Sequence, residues 1–157
     1  MYWPEPVERV AAFARAAGAE VRLEEFSAGT PTARDAARAI GCELGAIAKS
    51  IVFDCDGRFV VALVPGDRRA DPEKVARLVG ATRATVAPPD RVQAATGFAP
   101  GAVAPFPLAA VERVLIDRLL LAHPLVWVGA GSEHHMAGLA PVELVRLTRG
   151  ESVDAVE

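Results

Sequence analysis

Lysine is nearly missing from this chain: of 17 basic residues only Lys49 and Lys74 are lysines, and arginine supplies the rest. Cysteine is as scarce. Cys42 and Cys55 are the only two, and they lack the C-x-x-C spacing. That excludes a disulfide scaffold and fits reduced thiols in a cytoplasmic protein. No apolar run approaches the length of a membrane span, and the opening "MYWPEPVERV" has no basic region leading into an apolar one. A soluble, unprocessed chain is therefore expected, with no membrane partner. Excess positive charge is missing too. The formal net charge is −3 and the pI about 5.7, which excludes a generally basic nucleic-acid binder and leaves room only for a local basic patch. What remains is 157 residues with 52% hydrophobic content, enough to build one well-packed domain over residues 1–157.

Along the chain, helical and strand patterns alternate with no linker, internal repeat or low-complexity segment. "PEPVERVAAFARAAG" reads as a helix with Pro4 at its start and Gly18 at its end, and "TPTARDAARAIG" as a second with a threonine cap and terminating Gly41. Between them "VRLEEF" alternates as a strand. "IAKSIVFD" and "RFVVALVPGD" read as two strands joined at Asp56-Gly57, a hairpin signal. "DPEKVARLVG" and "APPDRVQAATG" are helices, the first capped by Asp71 and the second stopped by Gly97. "VERVLID", "PLVWVGAG" and "EHHMAGL" are strands, "APVELVRLTRG" is a last helix and "SVDAV" a closing strand. The expected class is a single α/β domain with a mixed sheet flanked by helices.

Two stretches break the pattern. In "GAIAKSIVFD" Lys49 interrupts an apolar run of strand length, and lysine is rarely buried without a partner. Either its stem lies along apolar surface with the head in water, or the ammonium serves a site. The choice of lysine in an arginine-rich chain adds interest, because the two cations differ in chemistry. The second stretch, "TGFAPGAVAPFP", has two glycines and three prolines in twelve residues, with Val103 and Phe106 as apolar anchors. It is either a plain connection or a rigid loop whose backbone lines a pocket.

"IAKSIVF", "DGRFVVALVPGD", "TGFAPGAVAPF", "VLID" and "VGAG" together resemble the YbaK/ProX family of aminoacyl-tRNA deacylases, which is also similar to the editing domain inserted in bacterial prolyl-tRNA synthetases. The likeness runs from about residue 25 to residue 157. It implies a partly barrel-like sheet and a trans-editing hydrolase that cleaves the ester of a mischarged aminoacyl-tRNA carrying a small amino acid. It implies a catalytic lysine at Lys49 and a Gly-x-x-x-Pro loop at Gly101 to Pro105. It also implies that the terminal ribose hydroxyl of the tRNA helps deliver the attacking water. On that footing Lys49 and Gly101 are the expected catalytic residues. Backbone N–H groups around Gly101, Ala102 and Val103 are candidates to orient the carbonyl, with Pro105 ending the loop. Gly129 and Gly131 would let backbone approach the aminoacyl group. The expected partner is tRNA, with a synthetase as an optional second partner and no DNA; no cofactor is implied.

Other constellations carry other readings. His134 and His135, with Cys55 or Glu133, suggest a metal site, but neighbours on a strand face opposite ways, so no metal is expected. One of the two, His134 or His135, is instead a candidate to face the pocket as a hydrogen-bonding group, and His134 is the expected one. Ser50 beside Lys49 is set apart from a Ser-Lys nucleophilic pair by the same alternation. Arg68, Arg69, Lys74, Arg77 and Arg83 form the densest basic run, either a solvated face or a tRNA-phosphate contact, with Arg68, Arg69, Lys74 and Arg77 as the expected tRNA-binding residues. Trp127 and Phe53 sit in apolar strands and read as core. The rival to a deacylase is a catalytically silent module of the same fold that binds aminoacyl-tRNA or a small ligand.

Overall fold

A computed structural model describes residues 3–157; residues 1 and 2 of the expected domain lie outside it. In chain order it has α1 (Glu5–Ala16), β1 (Arg22–Glu25), α2 (Ala33–Ile40), β2 (Ile47–Cys55), β3 (Arg58–Pro65), α3 (Pro72–Val79), β4 (Ala84–Val86), α4 (Pro89–Thr96), β5 (Arg113–Asp117), β6 (Val126–Gly129), β7 (His135–Leu139), α5 (Pro141–Thr148) and β8 (Glu151–Val153). Short 3-10 turns cover Leu44–Ala46 and Arg118–Ala122.

The local rules explain most boundaries. Thr32 accepts a hydrogen bond from the Asp35 N–H to cap α2, and Asp71 accepts from Glu73 and Lys74 to cap α3. Gly41, Gly80 and Gly97 take the left-handed conformation that ends α2, α3 and α4. At the hairpin, Asp56 and Gly57 both have positive φ, 55° and 91°, the pairing a two-residue turn between twisted strands demands.

One mixed sheet runs through the molecule in the order β1-β7-β6-β2-β3-β5-β8, with β4 paired to β2 off that path. The β2/β3, β2/β4, β6/β7 and β1/β7 pairs are antiparallel, and β2/β6, β3/β5 and β5/β8 are parallel. Both faces are covered. Val52, Val61, Leu63, Phe98, Phe106 and Ile116 belong to one apolar cluster, while Phe53, Val60, Ala62, Val64, Val75 and Leu115 form another on the opposite side. Trp127, 4% exposed, packs with Ile47, Ala36 and Met136 beneath α2, and Phe53 is fully buried; both are core, as their strands suggest.

Two expected strands are shorter than read, and one strand was not expected. The closing strand read over residues 152–156 is β8 at Glu151–Val153, followed by a single bridge from Val156 to Ala70. The strand read over residues 133–139 starts only at His135, because Ser132 to His134 form a turn. β4 escaped the sequence reading: three residues between Gly80 and Pro88 are too few to show alternation.

β4 shapes the site. β6 pairs with β2 only at Ile47 and Ala48, and β4 pairs on the same edge only at Phe53, Asp54 and Cys55. Between these two partners the edge of β2 at residues 49–51 is unclaimed by any strand among the described residues, and the sheet opens there.

Candidate active site

A cavity of about 410 Å³ occupies that opening. Its floor is β2 from Ile47 to Ile51, one wall is the segment Thr30–Ala33 with Ala36 of α2, and the other sides carry Gly101, Val103, Gly129, Ser132 and Met136. A smaller apolar cavity of about 170 Å³ adjoins it. The two share Ser50, Ile51, Gly101 and Val103, and the annex runs on toward Val86, Ala87 and Val92.

Among the described residues Lys49 is the one ionisable side chain lining the larger cavity. Strand alternation sends it to the opposite face from Ala48 and Ser50, and its Nζ donates to the backbone carbonyl of Arg68 at 2.6 Å, in the turn after β3. The side chain is half-buried. Burial pushes its ammonium below the usual lysine value; the Asp67 carboxylate opposes that shift and Arg69 adds to it. A single hydrogen bond leaves two ammonium protons for a ligand. Ser50 is no nucleophile for Lys49, since the two face apart; its Oγ is buried with no partner among the described residues.

The Gly/Pro loop is fixed from several sides. Thr96 Oγ1 donates to the Val92 carbonyl and accepts from the Phe98 N–H, while Arg9 donates to the Gly97 carbonyl at 2.8 Å and stacks over Phe98. Phe98 and Phe106 are each 1% exposed and pin the loop to the core. Gly101 sits at φ 81°, where a side chain is strained, and a Cβ there would lie 3.1 Å from Glu133 Oε1. A Cβ on Gly129 would lie 2.5 Å from the Val103 carbonyl oxygen, so glycine at 129 is what lets the loop close on β6.

The expected site residues thus divide. Lys49, Gly101, Val103 and Gly129 meet on the cavity. Ala102 does not line it, and its N–H is committed to the Ala99 carbonyl at 3.0 Å, so it is no free donor. Among the described residues the N–H groups of Gly101 and Val103 have no backbone acceptor. Pro105 faces a different hollow, beside Phe13 and Phe106. Gly131, at φ 100°, packs on the backbone of Pro6 and Val7 and is glycine for that reason. His134 is exposed and its ring bonds the Phe26 carbonyl at 3.0 Å, away from the cavity wall. Of the basic run, Arg68, Arg69 and Arg77 are exposed, with Arg68 beside the Lys49 head. Lys74 is half-buried and held by Asp154 at 3.0 Å and the Val156 carbonyl at 2.7 Å, so it is not a free cation.

Sequence reasoning passed over Thr30, Ser132 and Met136. Thr30 is 9% exposed, and its N–H and hydroxyl both donate to the Glu133 carbonyl, tying the α2 side of the cavity to the turn before β7. The hydroxyl in "GAGSEHH" was the one signal that pointed to Ser132.

The sequence and the fold are both similar to those of known proteins. The model for the aminoacyl-tRNA editing domain matches residues 27–147. The chain belongs to that family. The editing domain is 35% identical to the uncharacterized protein YwhH of Bacillus subtilis over 123 residues, 78% of each chain. It is 33% identical over 128 residues to the proline–tRNA ligase of Nitratidesulfovibrio vulgaris, covering 81% of this chain but only 21% of the ligase. A solved structure described as "a putative trans-editing enzyme for prolyl tRNA synthetase" superposes with a TM-score of 0.92 at 34% identity, covering 99% of both chains. The single α/β domain with a mixed sheet is therefore the fold of this editing family.

Proposed function

We propose that the protein is a trans-editing deacylase of the cytoplasm that hydrolyses the ester between a small, wrongly attached amino acid and its tRNA. The observation that carries this reading is the convergence of the Lys49 ammonium and the Gly101–Val103 backbone on one cavity in a member of the editing family. A synthetase pocket separates amino acids that differ by one small group by roughly 1–3 kcal/mol, too little for faithful translation, so a second hydrolytic site is needed.

The aminoacyl ester is already activated, and the protein supplies position and electrostatics. Water attacks the carbonyl carbon, negative charge grows on the carbonyl oxygen, and the bond to the ribose oxygen breaks. The N–H groups of Gly101 and Val103 are the donors for the growing charge. Lys49, a compact cation with protons to spare, holds a phosphate or carbonyl oxygen of the 3′ end. Ala33, Ala36 and Ala48 keep the cavity wall small and apolar, which suits a short side chain. Action in trans is supported by the end-to-end match to a structure described as trans-editing.

The test is a panel of tRNAs charged with alanine, serine, cysteine or threonine and one charged correctly. Release of at least one small mischarged amino acid, with the correct pair spared, is expected. Binding of the charged tRNAs without release of any amino acid would establish the silent binding module instead.

A further inference from the structure

The turn before β7 holds a constellation that the reading above does not use. Ser132, on the cavity wall, lies with its Oγ 2.5 Å from His135 Nδ1. His135 is 3% exposed, and its Nε2 is 3.5 Å from Glu25 Oε2 on β1, the residue opposite it in the β1/β7 register. Trp3 closes over the imidazole edge-on, with ring centroids 5.5 Å apart.

The Ser132–His135 bond can run in either direction with the imidazole tautomer, and a relay uses one of them. Ser132 Oγ already accepts the His134 N–H at 3.0 Å. With the imidazole neutral and its proton on Nε2, toward the carboxylate, Nδ1 is an acceptor and the serine hydroxyl donates to it. The second lone pair of Oγ is then left for the cavity. Nε2 has no hydrogen-bond partner among the described residues, and Glu25, exposed and free to swing, is the anion nearest it.

We propose that Ser132 is a catalytic residue of the editing reaction, taking a proton from the attacking water while its own proton passes to His135. The proposal rests on the deacylase reading. In the first step the water oxygen bonds to the ester carbon, the water proton moves to Ser132 Oγ, and the serine proton moves to His135 Nδ1. The imidazolium so formed faces the Glu25 carboxylate. In the second step the bond from carbon to ribose oxygen breaks, and the proton returns through Ser132 to that oxygen as the hydroxyl of the tRNA. Serine and histidine end as they began. His135 never meets the substrate; it is a positioning residue acting through Ser132.

The relay needs a neutral imidazole. Burial pushes His135 below the usual histidine value; Glu25 pulls it back upward, and His134 on the same turn pushes it further down. The adjoining end of β6 contributes Ala130, which bonds the His135 carbonyl and carries no charge, and Trp3 carries none. The hydrolysis rate should therefore rise with pH through an acid limb below the usual histidine value.

Single-turnover hydrolysis of the best mischarged tRNA across pH decides it, using the whole protein. Ser132→Ala should lower the rate roughly 100-fold and flatten the acid limb, while keeping the melting temperature close to wild type. Glu25→Gln, a change at an exposed side chain, should move the limb to lower pH because the carboxylate no longer favours the imidazolium. A purely structural role would leave the limb in place. Wild-type hydrolysis with unchanged rate and pH profile in Ser132→Ala overturns the relay and leaves the deacylase standing. An acyl group trapped on Ser132 in acid-quenched mass spectra also overturns it, since serine and not water would then attack. No hydrolysis of any panel tRNA by the wild type removes both readings together.

Discussion

Replacing Lys49 by methionine keeps the stem and removes the charge. In the folded protein the ammonium makes one hydrogen bond, to the Arg68 carbonyl, which sits in an exposed turn and can be resolvated. Losing such a bond destabilises by about 1 kcal/mol. Against that loss stands the burial that pushes the ammonium below the usual lysine value, a penalty the thioether does not carry. The two effects oppose one another, and a net change within about 1 kcal/mol moves the melting temperature of a chain this size by roughly 2–4 °C. Catalysis has no such compensation. Removing the cation that holds the 3′ end in place lowers the rate about 10²-fold. The assay pairs thermal unfolding with single-turnover hydrolysis of a mischarged tRNA. Lys49→Arg should not rescue, because a planar fork cannot reach both the Arg68 carbonyl and a ligand as a rotating ammonium does. In the wild type the rate should fall on the alkaline side, at a pH below the usual lysine value, as the ammonium loses its proton. A folded Lys49→Met variant that hydrolyses at nearly the wild-type rate would refute the reasoning, since among the described residues no other cation lines the cavity to take its place.

Two further outcomes are expected. Gly101→Val forces a β-branched residue to φ 81° and sets its Cβ 3.1 Å from the Glu133 carboxylate; the strain costs about 1–3 kcal/mol, and hydrolysis should fall far more than stability. Unfolding with hydrolysis retained would make the loop purely structural. Neutralising Arg68 and Arg69 together should weaken tRNA binding and lower the slope of log K against log salt by roughly 0.7–0.9 for each phosphate that the variant no longer neutralises. Lys74→Ala should instead reduce stability without touching the slope, because its ammonium is held by Asp154 and Val156; an unchanged slope in the arginine double variant removes the patch.

Local chemistry was legible in the residues themselves. Caps at Thr32 and Asp71, glycine stops at Gly41 and Gly97, and the Asp56-Gly57 turn depend on neighbours a few positions away, so the elements they bound could be read directly. Lys49 stood out because a charge in an apolar strand violates a rule that needs no fold to apply. The resemblance then pointed to its role. Everything that depends on which strands share an edge was decided by tertiary structure. The cavity exists because β6 and β4 each claim one end of β2 and leave residues 49–51 open, and β4 is too short to be seen in advance. The glycines of "VGAG" read alike in sequence, yet Gly129 admits the Gly101–Pro105 loop while Gly131 only clears Pro6. The two histidines look interchangeable, but the turn places one on the surface and buries the other against Ser132 and Glu25. Lys74 looked like part of a free basic run until Asp154, 80 positions away, was folded against it. A sequence shows which groups are unusual where they stand; contacts between distant segments decide which of them remain free to act.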